Sequence, residues 1–185
     1  MPILAVEVEM YPDGLLDEPP DAERPWRVAH TKPRQEKALA RDLLAAEVPF
    51  YLPCDRRRVR MRGRVVTSHV PLFGGYLFVR ADDDGRRRIA ITNRVTRLLP
   101  VADERRFTGD LRGVRRLLDL GEPVTAEDGL TRGTPVTVRS GPLTGMTGTV
   151  QEAIGGFKFV VTVDFIRRGI SVTLDGSMLG TIRGD

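Results

Sequence analysis

The chain has 185 residues, 41% of them apolar and 29% charged, with a formal net charge of +4 and one cysteine, Cys54. No run approaches the ~20 apolar residues that span a bilayer, and the acidic, proline-bearing start does not read as a secretory signal. A lone cysteine excludes an internal disulfide and any multi-cysteine metal site. These features predict a cytoplasmic chain of one large or two small domains.

The charge is unevenly placed. Residues 1–24 carry a net −6, residues 25–121 a net +11 and residues 122–185 a net −1. The middle region alone has the positive field expected of a nucleic-acid partner. Arginine supplies 26 of the 29 basic residues.

Residues 1–24 combine Pro2, Pro12, Pro19 and Pro20 with seven carboxylates, and this composition predicts a flexible acidic tail. A short strand within residues 3–10 is the other reading. Order begins at Trp26, whose alternation with Val28 predicts a strand over 26–31. Pro33 suits a first helical turn, and Leu39, Leu43 and Ala46 follow at i, i+4, i+7, predicting a helix over 33–47. Residues 48–53 read as a short strand closed by Pro53. The run 71–80, apolar on both faces at its end, fits a central strand. Asp82, Asp83 and Asp84 precede a short helix, because carboxylates favour its positive end. A strand over 95–101 leads to a helix bearing Leu111, Val114 and Leu118, with Thr108 as its cap and Gly121 as its stop.

Residues 122–132 read as a linker. Beyond it the period becomes 2, with Phe157, Phe159, Val161, Val163 and Phe165 alternating with polar or smaller residues, then Ile170, Val172 and Leu174. Gly155-Gly156 signals a hairpin turn. Five short strands over 133–183 predict closure into a small barrel. Gly141, Pro142, Gly145 and Gly148 mark a tight loop between its first two strands.

The sequence offers little chemistry. His30 and His69 have no metal-ligand spacing around them, and no phosphate-binding glycine loop is present. Neither an enzyme nor a cofactor is expected; a thiol enzyme using Cys54 is the alternative from that class. Between Cys54 and Arg64, six of eleven residues are arginine: Arg56, Arg57, Arg58, Arg60, Arg62 and Arg64. In a strand, Arg56, Arg58 and Arg60 share a face, and Met61-Arg62-Gly63-Arg64 reads as a hairpin tip. Such an arm contacts phosphate rather than bases, with Lys32 as a neighbour, or is merely solvated. The acidic tail would then screen it intramolecularly.

Three segments together resemble the NusG family of transcription elongation and antitermination factors: Trp26 to Glu47, then Pro71-Leu72-Phe73-Gly74-Gly75-Tyr76-Leu77-Phe78-Val79, then Gly133-Thr134-Pro135-Val136-Thr137-Val138 with Gly141-Pro142-Leu143-Thr144-Gly145. Gly74 stands where the family usually has proline. The resemblance implies an α+β N-terminal (NGN) domain, an antiparallel sheet with flanking helices, over 25–121. It implies an all-β KOW domain, a small five-stranded SH3-like barrel, over 133–183. Housekeeping members and specialised RfaH-like or LoaP-like paralogues are not separated by these residues.

The same resemblance implies the partners. The NGN domain would grip the clamp helices of the largest RNA polymerase subunit through Tyr76, Phe73, Phe78 and His30, with Phe78 also the best candidate for core. The arginine arm would lie near the exposed DNA strand of the transcription bubble. The KOW domain would recruit the ribosomal protein NusE or the termination factor Rho through Leu143, Phe165, Ile166 and Arg168, with Ile166 where the family often has phenylalanine. A monomer with no membrane partner is expected. A ribosome-associated RNA-binding KOW protein is the alternative function.

Overall fold

The computed structural model describes residues 7–61, 63–128, 133–153, 156–174 and 179–181. They form two compact units, Met1–Arg105 and Arg106–Asp185. In the first, strands β1 (Met10–Tyr11), β2 (Trp26–Thr31), β3 (Phe50–Tyr51), β6 (Tyr76–Arg80) and β7 (Val95–Pro100) make an antiparallel sheet in the order β1-β3-β6-β2-β7. Among the described residues, strands β4 (Cys54–Met61) and β5 (Arg64–Pro71) pair only with each other, as a two-stranded arm. Helices α1 (Glu36–Ala45) and α2 (Asp83–Ile91) complete this α+β unit, and α3 (Glu104–Asp119) begins at its end.

The period-2 and period-3.6 patterns meet in one core. Ala29, Leu77, Val79 and Phe50 point from the sheet toward Leu39, Ala40 and Leu43 of α1 and Ile89 of α2. Burying each leucine contributes about 2 kcal/mol. Trp26, Val28 and Phe78 occupy the opposite face and are fully buried there, so the central strands are covered on both sides. Asp82 caps α2 by accepting from Gly85 N–H at 2.7 Å, which is what a carboxylate at that position does.

Several expectations change. The segment 7–24 is not a loose tail: β1 pairs with β3, and Leu15 and Leu16 are buried. Its apolar residues supply what its proline and acid content hid. Helix α1 starts at Glu36 rather than near Pro33, because Arg34 takes a left-handed φ of 61°. In the run 71–80 the expected central strand is β6 alone, since residues 72–75 form a turn, with Gly75 at φ 85° and Tyr76 N–H bonding Phe73 C=O at 3.0 Å.

In the second unit, β8 (Thr125–Asp128), β9 (Thr134–Val138), β10 (Thr147–Ala153), β11 (Gly156–Val163), β12 (Arg168–Leu174) and β13 (Leu179–Thr181) form a sheet ordered β13-β9-β10-β11-β12-β8. That is six strands where five were expected, and among the described residues β8 and β13 stand at its two ends without pairing to each other. The expected linker contributes β8, which pairs with β12. Gly156 opens β11 opposite Ala153, while Gly155 lies outside the described residues. Gly141 and Gly145, at φ 84° and 83°, do turn the chain; Gly148, expected in the same loop, is instead within β10.

Helix α3 starts earlier than the sequence suggested. Thr108, expected as its cap, is a buried interior residue, and the buried stripe is Phe107, Leu111, Val114 and Leu117 rather than one ending at Leu118. The division between units falls within this helix, not after 121. From Arg106 onward it packs against the second sheet. A Cβ on Gly113 would come within 2.9 Å of Val161 Cγ1, so glycine there permits the close approach. Phe107 meets Phe165 edge to face at 5.9 Å, Arg106 pairs with Asp164, and Asp110 accepts from Asp164 N–H at 3.1 Å.

Candidate functional site

Strand register sets up the first candidate surface. On one face of the sheet, three cross-strand pairs follow one another: Trp26 with Arg80, Val28 with Phe78, and His30 with Tyr76. The first two rows are buried, whereas His30 and Tyr76 are half-buried. Their rings lie 5.2 Å apart at 54°. Thr96 fixes the histidine: its hydroxyl donates to His30 C=O at 2.9 Å and sits 2.8 Å from His30 Nδ1. With that hydroxyl proton committed to the carbonyl, Nδ1 is the donor in its contact with the Thr96 oxygen.

The turn before β6 positions Tyr76. The Glu36 carboxylate, nearly buried, accepts from Gly75 N–H at 2.6 Å, and Gly75 C=O accepts from Thr31 N–H at 2.8 Å. Gly75 therefore joins helix, central strand and aromatic pair, in a left-handed conformation that glycine tolerates. Phe73 and Phe78, expected on the contact surface with them, are only 2% and 0% exposed and pack edge to face at 6.2 Å. That places them in the core.

The arm leaves the same end of the sheet, since β2 and β3 both run antiparallel to β6 and finish beside its start. Its register puts Arg56, Arg58 and Arg60 opposite His69, Thr67 and Val65 on one face. Arg57 and Arg64 belong to the other face, and Arg57 bonds Asp55 at 2.6 Å. Arg58, Arg60 and Arg64 are exposed, as are Val65, Val66 and Val70 of β5. Arg62 lies outside the described residues. Lys32 donates to Asn93 at 3.0 Å, next to β7 and not to the arm, whose root follows β3 on the other side of β6 and β2.

The arm's root holds what sequence reasoning missed. Glu9, just before β1, accepts from His69 Nδ1 at 2.6 Å and from Arg56 Nε and Nη2 at 3.2 and 3.3 Å. Nothing local in the sequence links a residue in an acidic leader to a strand pair sixty residues away. Nearby Cys54 is buried; desolvation, and behind it the Glu9 carboxylate, pushes its thiol up to about 12. A buried thiol held so firmly protonated is a poor nucleophile at neutral pH.

In the second unit, the four residues expected to receive a partner differ in access. Leu143 is 2% exposed and belongs to the core, not to the surface. Phe165 is 39% exposed, in a short 3-10 turn (Asp164–Ile166) after β11, where the strand alternation expected to carry it has already ended. Ile166 and Arg168 are half-buried, on either side of Arg167 with its left-handed φ of 53°. Among the described residues, no group of three or more His, Cys, Asp or Glu is arranged to hold a metal, and no helix is long and apolar enough to cross a membrane.

The family model described as transcription termination factor nusG matches residues 24–109. No curated protein matches the chain. Among solved structures, the chain is similar to one described as "Domain interaction in Thermotoga maritima NusG", at 22% identity and a TM-score of 0.51, over 86% of this chain and 98% of that one. This likeness supports the fold. A second, "Crystal Structure of MjSpt4:Spt5 complex conformation B", aligns at 16% identity and a TM-score of 0.29 over 86% of this chain and 99% of that one, too low a score to carry an argument.

Proposed function

The chain belongs, through residues 24–109, to the NusG family of transcription elongation factors, and from that premise we propose that it binds RNA polymerase with its first unit and recruits a second protein with its C-terminal unit. The observation that carries this reading is the His30–Tyr76 pair. It is a partly accessible aromatic patch at one end of a sheet face whose other aromatics are buried. Tyrosine gives a rigid apolar plate with a polar tip, the usual character of an interface anchor. The clamp helices of the largest polymerase subunit are its partner. Phe73 and Phe78 support the patch from beneath.

The arm reaches nucleic acid of the transcription bubble with Arg58, Arg60 and Arg64. It makes phosphate contacts, since exposed guanidinium groups along a narrow ribbon carry charge but no base-reading geometry. The second unit acts as the family's KOW module and offers Phe165, Ile166 and Arg168 to NusE or Rho. Because both units are on one chain, the second partner meets the polymerase at raised local concentration. The protein makes and breaks no bond, and the outcome is suppression of pausing or termination.

A pull-down with core RNA polymerase tests the central step. The wild-type chain is expected to be retained. Tyr76→Ala, still folded and cooperative in melting, is expected to weaken binding about 30-fold, the effect of losing one anchor of about 2 kcal/mol. Equal retention of both proteins, or of neither, would overturn the reading.

A further inference from the structure

The Glu9 carboxylate is only 10% exposed, yet it is charged and far in sequence from its partners. Such a group persists where its lone pairs are satisfied, and here both oxygens are used. One accepts from His69 Nδ1 and Arg56 Nε, the other from Arg56 Nη2. The fork of two guanidinium N–H groups on two carboxylate oxygens also fixes orientation. Arg56 and His69 are register partners, one on each strand of the arm. A single carboxylate therefore binds both strands at the point where the arm leaves the body. The backbone holds Glu9 in turn: its C=O accepts from Leu52 N–H at 2.6 Å, and Met10 pairs with Tyr51 directly after it.

A two-stranded ribbon has little stability of its own, so its direction depends on its root. Met61 lies five residues beyond Arg56, about 17 Å of extended chain. A tilt of ~10° at the root displaces that end by about 3 Å, the span of a hydrogen bond. Glu9 also changes which arginines are available. Among the described residues neither Arg58 nor Arg60 has a carboxylate partner, whereas Arg56 is engaged by Glu9.

We propose that Glu9 is a positioning residue for the arm: it sets the arm's direction through Arg56 and His69, and keeps Arg56 out of nucleic-acid contact, leaving Arg58 and Arg60 to meet phosphate on that face. This rests on the reading of the arm as a nucleic-acid contact, and the test separates the two.

The first measurement needs no nucleic acid. Spin labels at Ala45→Cys, exposed at the end of α1, and Thr67→Cys, exposed on β5, report the arm-to-body distance; buried Cys54 stays unlabelled. Glu9→Gln is expected to broaden the distance distribution, and Glu7→Gln, which removes an equal charge paired to Arg41 on α1, is expected to leave it narrow. An unchanged width in Glu9→Gln would refute the positioning role.

The second measurement titrates the full chain with labelled oligo(dT) at several salt concentrations. Each phosphate contact on a single strand contributes a log–log slope of about −0.7, or roughly eightfold in affinity at ~50 mM salt. Arg58→Ala is expected to lose one such contact, while Arg56→Ala stays within about twofold of wild type. Glu9→Gln is expected to steepen the slope by about 0.7 as Arg56 is released, and adding Arg56→Ala restores the wild-type slope. A loss in Arg56→Ala equal to that in Arg58→Ala, or a Glu9→Gln slope unchanged from wild type, would overturn the second half of the proposal. If Arg58→Ala with Arg60→Ala leaves binding untouched, the nucleic-acid reading of the arm fails, and the distance measurement still decides the role of Glu9.

Discussion

Two ends of one sheet face are covered differently. At one end Trp26 and Arg80 face each other across β2 and β6, with the guanidinium 5.0 Å from the indole ring centroid. At the other end His30 and Tyr76 make the same cross-strand pairing. The pairing register is the same in both places, and the covering differs. The segment with buried Leu15 and Leu16 runs on to Glu18 and Pro19, whose carbonyls accept from Arg80 Nη2 at 3.4 Å and Nη1 at 3.0 Å. Arg80 is thereby 3% exposed, while the His30–Tyr76 row remains accessible. The same cross-strand pairing is sealed into the core where the chain returns over it, and is left accessible where it does not.

If the sealed rows are structural, breaking them should cost stability before anything else. Phe78→Ala should have the largest effect. The side chain is fully buried, between Phe73 and Tyr51 at ring distances of 6.2 and 6.5 Å. Its truncation is expected to cost about 3–5 kcal/mol, read as a lower midpoint in urea unfolding with an unchanged slope. A loss below about 1 kcal/mol would mean that the face is not a packed core at that row.

Arg80→Met comes next. The methionine keeps most of the apolar stem against Trp26 but leaves the carbonyls of Glu18 and Pro19 without their donor. Losing a charged donor to these carbonyls, together with the contact to the indole, is expected to cost about 2 kcal/mol. Amide exchange should rise in residues 13–20 more than in β6, because the strap loses its anchor while the strand keeps its ladder. Equal protection of both segments in the variant would show that burial of Leu15 and Leu16 holds the strap without Arg80.

The contrast also explains what could be read in advance. Local periodicity located β2, α1, β7 and the alternation of β11, because each pattern reports its own element's buried face. It failed where coverage came from elsewhere. Leu15 and Leu16 sit among prolines and carboxylates, so their burial leaves no periodic trace. Thr108 looked like a cap because its residue type favours that position, but three charged residues before it, Glu104, Arg105 and Arg106, already belong to the helix. Leu143 looked exposed because it sits in a glycine-rich turn, yet it points into the core. The aromatic set His30, Phe73, Tyr76 and Phe78 was visible in the sequence. Phe78 was expected as core and is buried, but the burial of Phe73 beside it was not legible, since that depends on the turn at Gly75.

The accessible row should show the smallest effect on stability. Tyr76 and His30 are half-buried, and their tilted ring contact is worth about 0.5–1.5 kcal/mol beyond area. Either alanine substitution alone should therefore cost about 1 kcal/mol or less, and the pair should show coupling of that order in a double-mutant cycle. His30→Ala also removes the ring that Thr96 orients, so Tyr76 loses the neighbour that restricts its rotamers. If the row recognises polymerase as a unit, His30→Ala should weaken binding through Tyr76, and the double variant should bind no worse than Tyr76→Ala alone. Additive losses would instead make the two rings separate anchors. That result would leave the open end of the face a recognition surface but deny that the cross-strand pair is its working element.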